Sequence, residues 1–188
     1  MEITWLGHGS FQFRLPSGQV ILMDPWIDGN PAYPKGHEIK RVDTICITHG
    51  HFDHIHDVVP LTKNFSPEVV AIFETCHWLE SKGVKNTRGI LDEGKIIYGG
   101  EASGYVMRLP DGRTLYFAGD TNVFSDMRLI HQLYRPELAF LPIGDVFTMS
   151  PREAALACQL LKTQGPRRRN GSGNSRERRG RSNCYLQH

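Results

Sequence analysis

Residues 49–54 read His-Gly-His-Phe-Asp-His, directly after the apolar run Ile45-Cys46-Ile47-Thr48. Three imidazoles and a carboxylate in six residues make a metal-ligand cluster. A strand delivers the chain to this point, and a tight loop turns His49, His51, Asp53 and His54 toward one small volume. That set suits two adjacent divalent cations with a water held between them. Imidazole with carboxylate favours zinc, with manganese or iron as alternatives, and no local thiolate argues for a Cys-type structural site. A His-rich solvated turn is the plainer reading, but chance seldom assembles this spacing.

Divalent cations lower the pKa of bound water to about 7, so hydroxide exists at neutral pH. The pattern therefore predicts hydrolysis, with a metal-bound hydroxide attacking a carbonyl or phosphoryl centre. Asp53 is the catalytic candidate, placed to orient the hydroxide or pass a proton to the leaving group. No Gly-x-Ser-x-Gly elbow and no Walker-type loop occurs, so a serine nucleophile or a phosphate loop has no support.

The elements that must position this cluster can be read from the pattern. Ile3 to Leu6, Phe11 to Leu15 and Val20 to Met23 are short β-prone runs with a turn at Pro16-Ser17-Gly18. Val42 to Thr48 predicts a buried strand into the ligand loop, and His54 to Leu61 a short helix. Val69 to Phe73 predicts a strand and Glu74 to Lys82 a helix ending at Gly83. Tyr105 to Leu109 and Thr114 to Ala118 form a hairpin around Pro110-Asp111-Gly112. Ser125 to Tyr134 has helical spacing of apolar residues, and Leu138 to Ile143 reads as a strand. Ser150-Pro151-Arg152-Glu153 opens a last helix, through Leu161, with a capping box. Hairpins followed by alternating strands and helices predict an α/β domain.

A hydrophobic share of 39% and a charged share of 22% in 188 residues fit one soluble globular domain. Met1-Glu2-Ile3-Thr4 lacks a basic-then-apolar leader, and no apolar run approaches the roughly eighteen residues of a membrane span. Cys46, Cys76, Cys158 and Cys184 form no C-x-x-C pair, which suggests reduced thiols in the cytoplasm. Cys46 and Cys158 fall in apolar periodic segments and read as core residues. Residues 165–188 hold seven Arg and one Glu, so the tail carries +6 and the rest of the chain −4. With almost no apolar residues, the tail is expected to be disordered. A charge run of this kind is usually solvated, which disfavours nucleic acid as a partner.

Asp120, in Gly119-Asp120-Thr121, follows the strand ending at Ala118. Sites in α/β sheets gather at the C-terminal ends of strands. Asp120 either bridges two cations or caps the next helix, and spacing leaves both open.

These segments resemble a known family. Thr48-His49-Gly50-His51-Phe52-Asp53-His54 and Gly119-Asp120-Thr121 look like the metallo-β-lactamase superfamily. Trp5-Leu6-Gly7-His8-Gly9-Ser10, Asp24-Pro25-Trp26, Leu141-Pro142-Ile143-Gly144-Asp145 and Phe147-Thr148-Met149 narrow the resemblance. They are similar to small metal-dependent hydrolases related to ascorbate-phosphate lactonases. The resemblance spans about residues 1–162. It implies a metallo-β-lactamase-like αββα sandwich over 1–164, with a basic tail over 165–188. It also implies that His49 and His51 hold one metal, Asp53 and His54 the other, and that Asp120 bridges. The substrate implied is a small ester, lactone or phosphoester.

Two departures leave the sandwich incomplete. Relatives carry a further metal-binding His on a strand between the Glu74–Lys82 helix and Tyr105, and a last ligand after the final helix. No His occurs between His77 and His131, and the Arg-rich tail takes the second position. Each metal thus lacks one expected imidazole. The rival reading is an impaired or non-catalytic remnant binding at most one metal. His77 reads as a packing residue and His56 as outward-facing. His8 and Asp24 follow short strands near the expected metal edge. Asp24 is expected to accept the second N–H of a ligand His and fix its tautomer, and His8 is either a turn residue or part of that outer layer. A small-molecule substrate is the expected partner, without a membrane, and a homo-oligomer is open.

Overall fold

The computed structural model describes residues 1–88, 101–163 and 183–187. The chain divides into two compact units, Met1–Ser103 and Gly104–His188, a division that falls within the 1–164 span expected as one domain.

The first unit is built on a six-stranded sheet whose strands lie in chain order. β1 (Glu2–Gly7), β2 (Ser10–Arg14) and β3 (Val20–Met23) pair antiparallel. β4 (Thr44–Cys46), β5 (Glu68–Val70) and β6 (Thr87–Arg88) add on in parallel. Parallel neighbours need crossovers: residues 24–43 make the one from β3 to β4 without a helix, α2 (Val58–Phe65) lies in the one from β4 to β5, and α3 (Phe73–Ser81) in the one from β5 to β6. Leu22, Ile45 and Val69 sit opposite one another across β3, β4 and β5 and are fully buried. Leu6, Ile47, Val58 and Leu79 join the same core. The sheet is therefore anchored where β4 hands the chain to residues 47–54. The turn between β1 and β2 is tight. At Gly7 φ is +94°, and an added Cβ would lie 2.7 Å from the Ala32 carbonyl carbon, so only glycine fits.

The second unit holds a four-stranded sheet in the order β10-β9-β8-β7. β7 (Tyr105–Arg108) and β8 (Thr114–Phe117) form the expected hairpin. β9 (Leu138–Pro142) runs parallel to β8, and β10 (Asn183–Gln187) parallel to β9. α4 (Met127–Tyr134) and α5 (Pro151–Leu160) contribute Met127, Ala154 and Ala157 to a core with Tyr116, Ala139 and Leu141. The capping box at Ser150 is formed: its Oγ accepts from the Glu153 N–H, and the Glu153 carboxylate accepts from the Ser150 N–H at 2.7 Å.

Several details differ from the sequence pattern. The strand expected over 42–48 is confined to Thr44–Cys46, and the helix expected over 54–61 is split into α1 (Phe52–Ile55) and α2. Asn183–Gln187 lies within the tail expected to be disordered, yet pairs as a strand. Cys184, Tyr185 and Leu186 give it the β-prone residues that the arginine-rich stretch before it lacks. The histidine-bearing segment expected to be absent belongs between Arg88 and Gly89, at the edge of residues 89–100, which lie outside the described residues, as do 164–182. Among the described residues, no helix is long and apolar enough to cross a membrane.

Candidate metal centre

β4 ends at Cys46, and Ile47, Thr48 and His49 continue inward, all buried. The chain then turns, and α1 carries Asp53 half-buried and His54 buried. Asp24 closes the same space from the end of β3. It is fully buried, with φ at +45°, a left-handed backbone that Asp tolerates better than most residues.

The Asp24 carboxylate organises the cluster. Oδ1 accepts the Thr48 backbone N–H at 2.7 Å, and Oδ2 accepts the Thr48 hydroxyl at 2.7 Å. Oδ2 also lies 2.9 Å from His54 Nδ1. A carboxylate can only accept, so His54 carries its proton on Nδ1 and presents the Nε2 lone pair. The Thr48 hydroxyl proton is committed to Asp24. Its oxygen therefore accepts from His49 Nδ1, 3.0 Å away, and His49 too presents Nε2. One buried carboxylate sets the tautomers of two imidazoles, directly and through a hydroxyl. Asp24 takes the place the sequence suggested. The Thr48 hydroxyl has no sequence signature beyond preceding His49.

His51, at the exposed N-cap of α1, faces His49, with His49 Nε2 and His51 Nδ1 2.8 Å apart. This is a hydrogen bond, His51 donating. Two nitrogens on one tetrahedral zinc sit about 3.4 Å apart, so a cation there must displace the proton and spread the rings. His49 and His54 have ring centroids 4.1 Å apart. Asp53 Oδ2 lies 3.5 Å from His54 Nε2 and 3.4 Å from His8 Nδ1. When Nε2 is protonated as well, His54, with His8 adding to it, holds the Asp53 carboxyl well below the usual carboxylate range against partial burial.

Of the sequence-predicted residues, His8, Asp24, His49, His51, Asp53 and His54 come together within the first unit. Asp120 lies in the second unit, just past β8, after Gly119 at φ +66°. The N-cap of α4 is Asp126, so Asp120 does not cap that helix. His77 is exposed rather than partly buried as a packing residue would be, and stacks on Phe73. His56 is half-buried rather than outward, its Nδ1 2.9 Å from Asp57 Oδ2, which also accepts the Ile27 and Asp28 N–H groups. Met149 is fully buried and Phe147 is 91% exposed. The donor set fits a divalent metal: imidazole nitrogens of fixed tautomer and an ionised carboxylate converge, and His8, Asp53 and His54 each offer a ligand atom within 4.8 Å of the others.

A histidine-rich loop at the end of a parallel strand, held by buried His49 and His54, defines an α/β protein with a candidate metal site. Comparison with known proteins makes this specific. The beta-lactamase superfamily domain model matches residues 2–165. A UPF0173 metal-dependent hydrolase of Solibacter usitatus is 70% identical over 188 residues, covering 87% of this chain and 82% of that protein. One of Koribacter versatilis is 48% identical, covering 86% and 80%. The structure of Igni18, a metallo hydrolase from Ignicoccus hospitalis, is 29% identical with a TM-score of 0.74, covering 87% of this chain and 79% of that one. The chain belongs to this family of metal-dependent hydrolases, with the metallo-β-lactamase fold.

Proposed function

We propose that this chain hydrolyses a small ester, lactone or phosphoester, using divalent metal, with zinc first and manganese or iron as alternatives. The observation that carries the reading is the Asp24–Thr48 arrangement, which engages Nδ1 of His49 and of His54 and leaves their Nε2 atoms as the ones to meet a cation. In this reading His49 and His51 hold one cation and Asp53 and His54 the other. Asp120 is proposed as the bridging ligand on the strength of Gly119-Asp120-Thr121 alone. Bound cations supply a lowered water pKa and polarisation of the substrate oxygen.

The chain's own residues do the rest. Asp53 orients the attacking water through a carboxylate oxygen or passes a proton to the leaving group. Trp26 and Phe52 stand beside the cluster with ring centroids 5.7 Å apart, and Phe52 is 61% exposed. An exposed aromatic step of this kind gives the apolar part of a substrate a surface to rest on.

The test is elemental analysis of protein purified without added metal, together with turnover of an ester, lactone and phosphoester panel before and after EDTA. Two metal equivalents and EDTA-sensitive turnover are expected. One equivalent or none, with no turnover after full loading, would favour the impaired remnant, a reading motivated by the two absent histidines.

A further inference from the structure

We propose that His8 is itself a metal ligand, through Nδ1, and completes the site formed by Asp53 and His54. This rests on the metal-dependent reading above and deepens it. The sequence leaves that cation one imidazole short, and the β1–β2 turn delivers an imidazole to the gap.

The distances leave room for a cation among the three side chains. Asp53 Oδ2 lies 3.4 Å from His8 Nδ1 and 3.5 Å from His54 Nε2. Both exceed the 2.7–3.2 Å or so of a good N–H···O bond. Metal–ligand bonds of about 2.0–2.2 Å at tetrahedral angles place neighbouring donor atoms about 3.4 Å apart. One carboxylate oxygen thus stands at ligand spacing from two imidazole nitrogens.

The backbone is shaped to hold His8 there. Its φ is +50°, an uncommon conformation for a non-glycine residue, though one that histidine enters more readily than most. The Trp5 indole N–H donates to the His8 carbonyl at 2.8 Å and pins the turn. The His8 ring meets Trp26 edge-on at 5.5 Å and His54 at 5.9 Å. Gly9 lets the turn close on the cluster, since a Cβ there would lie 2.9 Å from His54 Cε1. A free turn histidine needs none of these supports. His8 is also exposed, so it approaches the cluster from the solvent side.

The experiment uses the full chain loaded with zinc. Long-range proton–nitrogen NMR reports which nitrogen of each imidazole is protonated, free or metal-bound. The expected result is metal-bound Nδ1 and protonated Nε2 for His8, beside metal-bound Nε2 for His54. Competition with a chelator should show His8→Ala weakening one zinc equivalent by more than about 100-fold, beyond the 10–100-fold that an outer hydrogen-bond partner contributes. His8→Gly, which suits the left-handed turn, repeats the measurement if His8→Ala does not fold. A His8 Nδ1 that is not metal-bound while His54 is overturns the proposal and leaves the hydrolase reading standing. So does unchanged affinity in either variant. Zinc bound by none of these histidines overturns both.

Discussion

At the scale of single residues, the site depends on which nitrogen of each imidazole carries the proton. Thr48→Val tests this directly. The shape is kept, but the oxygen that accepts from His49 Nδ1 and donates to Asp24 is lost. Removing one partner from a buried hydrogen-bonded set costs about 1–3 kcal/mol, and loss of an outer-layer partner weakens metal binding about 10–100-fold. Both are expected for Thr48→Val, read by urea denaturation of the metal-free protein and by zinc competition. Wild-type zinc affinity would mean the hydroxyl does not set the tautomer. Asp53→Ala acts differently, because Asp53 is half-exposed and supports no core. Turnover should vanish and at least one zinc equivalent should be lost, while the unfolding midpoint of the metal-free protein shifts little. Unchanged turnover would remove Asp53 from the mechanism. Much of this was legible beforehand, since His49, His51, Asp53 and His54 announce themselves by type and spacing. The Thr48 relay was not, because a buried threonine beside a histidine is ordinary. Nor was the approach of His8 to Asp53, which depends on a left-handed turn that neither flanking strand encodes.

At the scale of elements, the strands that alternate or run apolar were readable, and the junctions were not. β1, β2 and β3 fall within a residue or so of the pattern because each is a clean β-prone run bounded by glycine or proline. β6 is two residues long and has no pattern to detect. α1 and α2 merge in sequence because residues 54–61 carry continuous helical spacing. Asp57 separates them by spending its carboxylate on the Ile27 and Asp28 N–H groups. β10 was hidden by the arginines before it. The clip between β3 and β4 gives a pH prediction. Asp43 accepts the Val20 N–H at 2.7 Å and the Arg41 guanidinium through two of its nitrogens. The Arg41 fork, chiefly, holds the Asp43 carboxyl below its usual range. A carboxyl depressed on folding adds stability above its unfolded value, about pH 3.9. That contribution fades as the pH falls through the lower folded value. Asp43→Asn should therefore be less stable than wild type at neutral pH, and the gap should narrow below about pH 4. Urea midpoints measured from pH 7 to pH 2.5 decide it, and a constant gap would mean Asp43 acts only through geometry.

At the scale of the whole molecule, each unit has its own apolar core, and each core contains a thiol. Cys46 and Cys76 are buried thiols of the first unit and Cys158 a buried thiol of the second. Two effects protect Cys46. Burial denies a reagent access, and burial together with the nearby Asp24 and Glu68 carboxylates pushes the thiol up to about 12. At pH 8 its thiolate fraction is then on the order of one in ten thousand, against roughly a quarter for an ordinary cysteine. These thiols thus become reporters of opening, one set for each unit. In native buffer at pH 8, Cys46, Cys76 and Cys158 should resist a disulfide-exchange reagent. In rising urea, peptide mapping by mass spectrometry should find Cys46 and Cys76 labelled together, as both belong to the first unit, one on its sheet and one on the α3 crossover, with Cys158 tracking its own unit. Because Cys46 ends the strand that carries the histidine loop, zinc should retard its labelling further, by mass action on the folded first unit. Rapid native labelling of Cys46, or labelling indifferent to zinc, would separate the strand from the metal centre it is held to support.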